Sequence, residues 1–173
     1  MRYSCQPLSR RQLRVFAQRI RKVIGVSSTL WFPAIKFLES LHEIIGDEAF
    51  YSDVVPDEEW DQPPTVHAYF DLNDNCIRVK ESVYMGAYSG CGRDRMTIVH
   101  ECAHVLLIKC CHLKLTRSFD DNIPVYRDPE WQAKCLAGEL MVPADLVRGM
   151  SEWEVVENCG VSAVAARYQL SRR

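Results

Sequence analysis

Two histidines and a glutamate occur at the spacing of a metal-binding helix. Residues 100–104 read His-Glu-Cys-Ala-His, an HExxH pattern, and residues four apart lie on the same face of a helix. Two imidazoles placed in this way can bind one zinc ion, and the glutamate beside the first histidine is positioned as a general base toward water. We therefore expect His100 and His104 to bind zinc and Glu101 to be the catalytic base.

A third zinc ligand must come from elsewhere, because a catalytic zinc normally has three protein ligands and one open position. Cys110 and His112 follow the motif closely. However, Leu107 stands where a glycine would turn the chain back toward the metal, so the helix carries Cys110 away from it. Both residues remain weaker candidates than those on the next predicted helix.

That next helix, predicted over residues 128–141, offers Glu130 and Glu139. The two glutamates are separated by about 2.5 helical turns and therefore face opposite sides. Ala133 and Ala137 share the side of Glu130, and their small side chains permit close packing against the HExxH helix. This favours Glu130 as the third ligand, although a glutamate in a first helical turn also interacts favourably with the helix dipole.

The elements that must position these residues follow from periodicity and from turn residues. Apolar spacing and capping residues predict helices over residues 9–24, 33–45, 94–111, 128–141, 144–150, 152–158 and 161–170. Alternation predicts a hairpin over residues 65–84 with its turn at 73–75, and a short strand over 49–55. Residues 85–94 and 112–127 are predicted to be loop and irregular structure.

Length, composition and charge describe an ordinary globular chain. It has 173 residues, 47% of them hydrophobic and 25% charged, with a net charge of −2, which argues against a generic nucleic-acid binder. No apolar run reaches the ~20 residues of a membrane span, and no secretory signal begins the chain. We expect a cytoplasmic protein whose eight cysteines are free thiols.

Most of the early basic residues lie on one side of the first predicted helix. Arg10, Arg11, Arg14 and Arg21 are interpreted as a solvated surface, with docking of an acidic partner as the alternative.

Three blocks of the sequence together resemble one family of peptidases. Residues 96–104 hold HExxH, residues 130–143 (EWQAKCLAGELMVP) match the pattern ExxA(N)xFAxxLLMP, and residues 159–170 (CGVSAVAARYQL) match FGVSxxAxxxRL. In this order the blocks resemble the ImmA/IrrE family of zinc metallo-endopeptidases, over about residues 65–170. The chain departs from the family at Lys134, where asparagine is usual, at Leu136, where phenylalanine is usual, and at Cys102, where leucine is usual.

The resemblance implies Zn²⁺ bound by His100, His104 and Glu130 in a gluzincin-like site, with Glu101 as the base. It implies an α+β fold: a mainly helical, zincin-like domain with a small antiparallel β-sheet beside the HExxH helix. It also implies a substrate or partner that is a helix-turn-helix regulator, such as a mobile-element repressor or an antitoxin. We assign residues 1–143 to the peptidase core and residues 144–173 to a small helix-turn-helix-like subdomain packed on it.

Several alternatives remain open at the level of sequence. The oxyanion that forms during peptide hydrolysis needs a donor, and Tyr126, Tyr88, His67 and Arg127 are all candidates. The protein is alternatively a non-catalytic zinc module that sequesters a repressor or binds DNA. Direct DNA binding is disfavoured, because the acids of residues 145–157 oppose a phosphate backbone.

Overall fold

The computed structural model describes residues 2–112, 114–118 and 123–172. Within these residues eight α-helices accompany a three-stranded sheet and a two-stranded ribbon, which confirms the predicted α+β class. The helices are α1 (Arg10–Val23), α2 (Ala34–Glu39), α3 (Leu41–Ile45), α4 (Glu81–Tyr88), α5 (Gly92–Cys110), α6 (Pro129–Met141), α7 (Glu152–Cys159) and α8 (Ala163–Leu170). The strands are β1 (Arg2–Ser4), β2 (Tyr51–Val55), β3 (Ala68–Asp71), β4 (Cys76–Lys80) and β5 (Thr116–Ser118).

The three-stranded sheet has the order β2-β4-β3 and is mixed. Strands β3 and β4 form the predicted antiparallel hairpin, with Ala68 opposite Val79. Strand β2 runs parallel to β4, with Tyr51 opposite Cys76, so the predicted all-antiparallel sheet is wrong. The long connection between β2 and β3 allows β2 to pair with the free edge of β4 in the parallel sense, as a crossover does.

Two predicted segments have a different local structure. The residues predicted as the end of the hairpin and a loop form α4 instead, and α5 begins already at Gly92. Position 86 of α4 favours glycine, because a Cβ atom there would clash with the Asp94 carboxylate. The predicted helix over residues 33–45 is divided into α2 and α3 at Ser40, whose hydroxyl donates back to the Lys36 carbonyl (2.8 Å) and distorts the turn.

The remaining differences concern the short segments. The predicted helix over residues 144–150 consists of turns, which end at Gly149 with φ +85°. Within the described part of the predicted irregular segment 112–127, β5 pairs with β1, and residues Val125–Arg127 form a short 3-10 helix. None of the helices in the described ranges has the length and apolarity that crossing a membrane requires.

Helices α5 and α6 form the centre of the core. The inward side chains of both helices are fully buried, and α1 covers the other side of α6. Ala133 and Ala137 are 0% exposed, as expected for small residues between closely packed helices. The buried residues of this centre include Ile98, Val99, Cys102, Ala103, Val105, Leu106, Leu136 and Leu140.

The basic side of α1 is largely not a solvated surface, which corrects the prediction. Arg10 and Arg14 bind Glu139 of α6, with nitrogen–oxygen distances of 3.2 and 2.9 Å. Arg21 is buried and donates to the backbone carbonyls of Leu140, Val26 and Thr29. Of the four arginines singled out, Arg11 is the exposed one. The charges of α1 therefore stabilise its packing against α6.

The C-terminal helices contact the core through closely fitted positions. Helix α7 ends at Gly160, whose φ of +61° is a left-handed conformation that glycine adopts most readily. The buried guanidinium of Arg95 on α5 donates to the carbonyls of Cys159 and Gly160 and lies 3.6 Å from the centre of the Trp31 ring. A Cβ atom at Gly138 of α6 would lie 2.8 Å from the Gln169 side chain of α8.

Candidate metal centre

Helices α5 and α6 bring the three predicted ligands together. His100 and His104 lie one turn apart on α5, on the side that faces the start of α6. The Asp128 side chain caps α6 by accepting from the Glu130 N–H (2.9 Å), and Pro129 occupies its first turn. Glu130 is therefore fixed at the N-terminal end of α6, where the helix meets α5.

The donor atoms of the two histidines and of the Glu130 carboxylate lie close enough together to share one metal ion. Nε2 of His104 lies 3.2 Å from Nε2 of His100 and 3.2 Å from Oε1 of Glu130. Nε2 of His100 lies 3.4 Å from Oε2 of Glu130. Zinc–ligand bonds of about 2.0–2.1 Å give a tetrahedron with edges of roughly 3.3 Å. These residues can hold a metal ion, and their imidazole and carboxylate donors fit zinc.

The electrostatics of the three ligands are strongly coupled. Hydrogen bonds from His100 and His104 hold the pKa of Glu130 far below its ordinary range. Burial lowers the pKa of His104, but its hydrogen bond to Glu130 and the nearby negative charges outweigh burial and leave that pKa raised. Glu130 is thus an ionised carboxylate, which is the form in which a glutamate binds a metal ion.

Glu101 lies beside the metal-binding group and is not one of its members. Burial raises its pKa, although the positive charges of His100 and His104 and a hydrogen bond from the Phe70 backbone N–H act in the opposite direction. Phe70 is in β3, so the sheet edge holds the carboxylate next to the histidines. A partly desolvated carboxylate with a raised pKa is typical of a general base.

The alternative ligands lie away from this group. Glu139 accepts hydrogen bonds from Arg10 and Arg14, and its side chain is 1% exposed, on the opposite side of α6, as its spacing from Glu130 predicts. Cys110 and His112 are exposed. In the described part of the chain, His100, His104 and Glu130 are the cluster whose donor atoms converge.

Two clefts meet at His100 and Glu101. The smaller cavity, of about 340 Å³, also contacts His104 and Glu130 and is lined by Tyr3, Tyr69, Phe70 and Leu72, among others. The larger cavity, of about 710 Å³, is bounded by α5, α6, α8 and the segment that leads into β3. An extended polypeptide passing through both clefts would cross the metal-binding group where they join.

The candidate oxyanion donors are now distinguished by position. His67 lines the larger cleft together with His100 and Glu101. Tyr88, Tyr126 and Arg127 are not among the described residues that line either cleft.

Tyr3 and Tyr69 line the smaller cleft and were missed by the sequence analysis. Tyr69 lies in β3, two residues after His67, and the period of two along a strand could have indicated it. Tyr3 reaches the cleft from β1, which pairs with β5. No local pattern signals that pairing.

Comparison with solved structures finds chains with a similar fold. No family model matches the sequence, and no curated protein matches it. One of them is a Mycobacterium tuberculosis transcriptional regulator, with a TM-score of 0.59 and 15% sequence identity. The match covers 92% of this chain and 46% of the regulator, so this chain spans less than half of that protein. At this identity the likeness establishes the fold alone.

Proposed function

We propose that the protein is a zinc-dependent endopeptidase with His100, His104 and Glu130 as ligands and Glu101 as general base. The observation that carries the proposal is the convergence of three residues. Nε2 of His100 and Nε2 of His104, on the HExxH helix, lie 3.2 Å apart and 3.4 and 3.2 Å from the two carboxylate oxygens of Glu130 on α6, with the partly buried carboxylate of Glu101 beside them. The resemblance of the motif blocks to the ImmA/IrrE family supports the same function.

The residues of the site divide the chemistry between them. Bound zinc supplies a Lewis acid that polarises the scissile carbonyl and makes water a stronger acid. The Glu101 carboxylate accepts a proton from the attacking water and delivers it to the nitrogen of the leaving amine. His67, in the larger cleft, is the best placed of the predicted donors to the developing oxyanion. Other divalent metals suit a His₂Glu set as well, so the metal must be determined directly.

We propose an intracellular regulatory protein as the substrate, with a helix-turn-helix repressor or an antitoxin as the expected type. This step depends on the family resemblance, and the name of the structurally similar transcriptional regulator is consistent with it. Arg167, the basic residue of α8, forms two hydrogen bonds of 2.9 Å with Glu152. Its charge is therefore already paired, which favours a protein partner over DNA.

The activity is tested by comparing new protein N-termini in a lysate of the source cell. Lysate is incubated with zinc-reconstituted wild type or with Glu101→Gln, and N-termini are labelled and identified by mass spectrometry. We expect cleavage at a small set of sites by the wild type only, because loss of a general base slows the reaction about 10²–10⁴-fold. Equal N-terminus profiles for the two proteins would contradict the proposal.

The second candidate is a non-catalytic zinc module that sequesters its partner. A regulator as structural neighbour is the observation in its favour. Glu101→Gln also distinguishes the two functions, since a sequestering module keeps its effect on the partner after this substitution, whereas a peptidase loses it. A salt-sensitive shift of duplex DNA would indicate the DNA-binding version instead.

A further inference from the structure

The larger cleft has the character of a selective binding pocket. Its walls are mainly apolar, and its volume of about 710 Å³ falls within the range of roughly 300–1,000 Å³ that is typical of ligand pockets. Its apolar walls are formed by side chains from four parts of the fold, including Val66, Ala68, Met96, Trp131, Val164 and Tyr168. Val164 is 73% exposed at the edge of the cleft.

The cleft is continuous with the metal-binding group. His100 and Glu101 form part of its lining, so a chain segment held there has a backbone bond within reach of the catalytic residues. Helix α8 supplies the outer wall through Val164, Ala165 and Tyr168. A polypeptide held in this cleft would contact α8. That role differs from the role of a helix that reads DNA.

The described lining of this cleft contains one negatively charged and one positively charged side chain. Glu101 is the one carboxylate among the described lining residues, and it lies at the catalytic end. Lys134, one turn beyond Glu130 on α6, also lines the cleft and is exposed. No carboxylate in the described part of the chain pairs with its ammonium group. A cation that has no carboxylate partner among the described residues, at the edge of an apolar cleft, is complementary to an acidic group on a ligand.

A second cation lies beside the cleft, in contact with one of its lining residues. The Arg93 guanidinium lies 2.6 Å from Nε2 of His67, which lines the cleft. A guanidinium can only donate, so Nε2 must accept and the proton of the neutral imidazole must be on Nδ1. Nδ1 is then the donor nitrogen of this ring, and Arg93 adds positive charge behind it. These groups therefore favour a ligand with acidic or carbonyl oxygens.

We propose that this cleft selects a substrate segment in which a bulky apolar residue stands next to an acidic residue. The apolar side chain fills the cavity between α5, α6 and α8, and Lys134 binds the neighbouring carboxylate. The inference depends on the proposed peptidase function for its meaning, since it names the substrate class of that same site. Lys134 is a specificity residue here, because the positive charge of its ammonium group, and not its packing, favours substrates with a neighbouring carboxylate.

The test uses binding, so that it is independent of cleavage. Four fluorescein-labelled peptides share one flexible sequence and differ at a central pair: Phe-Asp, Phe-Asn, Phe-Lys and Ser-Asp. Their affinities for zinc-reconstituted Glu101→Gln are measured by fluorescence anisotropy at low salt. We expect Phe-Asp to bind about ten-fold or more tightly than Ser-Asp, because an aromatic side chain leaves water. We expect Phe-Asp to exceed Phe-Lys by about three- to ten-fold, an effect that added salt weakens.

Charge reversal and matched controls make the test specific. Lys134→Glu in the same background should bind Phe-Lys more tightly than Phe-Asp, whereas Lys36→Glu, at an exposed position of α2, should keep the original order. Val164→Asp should weaken all three Phe peptides, and Val23→Asp, at an equally exposed valine of α1, should not. Zinc content is measured for each variant to show that the metal site is intact.

The outcomes separate this inference from the peptidase proposal. Equal or undetectable binding of the four peptides overturns the inference, and so does an unchanged order in Lys134→Glu. The same peptides are then incubated with wild type. Selective binding without cleavage of any peptide or lysate protein would leave the selective cleft in place and contradict the peptidase. Cleavage of proteins at sites without an apolar–acidic pair would support the peptidase and overturn the selection.

Discussion

Oε1 of Glu130 lies 3.2 Å from Nε2 of His104, although the two residues belong to different helices. The distance depends on how closely α6 approaches α5, and Ala133, fully buried on the Glu130 side of α6, limits that approach. The geometry of the candidate metal site therefore depends on the side-chain volume at Ala133, one helical turn from Glu130.

Ala133→Leu is expected to weaken both folding and metal binding. The larger side chain forces α6 away from α5, which costs about 1–3 kcal/mol of unfolding free energy. It also displaces Glu130, and disturbed support of a ligand lowers metal affinity about 10-fold or more. Urea denaturation and zinc competition with a chelator measure the two effects. Ala163→Leu, at an exposed alanine of α8, is the control, and wild-type zinc affinity in Ala133→Leu would contradict this account of the helix spacing.

Because the Glu139 carboxylate is buried, removal of its two arginine partners should cost more stability than neutralising Glu139 itself. Removal of both Arg10 and Arg14 leaves a charge buried without a partner and should cost about 3–5 kcal/mol of unfolding free energy. Glu139→Gln leaves two arginines that can turn to solvent and should cost about 1–2 kcal/mol. Urea denaturation at neutral pH gives both values. The pair Arg11→Ala and Arg19→Ala, on the exposed side of α1, should have little effect, and a larger loss for Glu139→Gln than for the double arginine variant would refute this ordering.

Arg95 is expected to be essential for anchoring the C-terminal helices. Arg95→Met leaves the carbonyls of Phe32, Cys159 and Gly160 without their donor and removes the stacking on Trp31. Several unsatisfied buried acceptors should cost roughly 3 kcal/mol or more of unfolding free energy. Arg95→Lys should recover little of this loss, because an ammonium does not reproduce the planar fork of a guanidinium. Arg148→Met, at an exposed arginine, is the control, and wild-type stability of Arg95→Met would be incompatible with the role assigned here.

Thiol reactivity should follow burial. Burial raises the pKa of Cys5, Cys135 and Cys159 to about 11 and raises that of Cys102 further, and the thiolate is the reactive form. In the native protein Ellman's reagent should therefore modify at most Cys91, Cys110 and Cys111, which are exposed or partly exposed. In denaturant all eight should react. A native count above three would show that the core opens, and a denatured count below eight without reductant would indicate disulfides.

The sequence predicted the convergence of His100, His104 and Glu130 because its signals are local. His100 and His104 are defined by helical spacing, and the choice of Glu130 over Glu139 follows from the opposite sides that these residues occupy on one helix. The parallel pairing of β2 with β4 was not predictable in this way, because it depends on contacts between distant segments. The same applies to the contacts of Arg21 and Arg95. Arginine side chains usually face solvent, but these two are buried and donate to backbone carbonyls of distant segments.

The central claim is tested most directly by metal analysis of the purified protein. Zinc is measured by inductively coupled plasma mass spectrometry in wild type, Glu101→Gln, His104→Ala, Glu130→Ala and the exposed control Glu157→Ala. We expect about one zinc per chain in wild type, Glu101→Gln and Glu157→Ala, and its loss from His104→Ala and Glu130→Ala. Wild type that binds no metal after incubation with zinc would contradict the peptidase proposal. Zinc retained by Glu130→Ala at the wild-type affinity would contradict the three-ligand site.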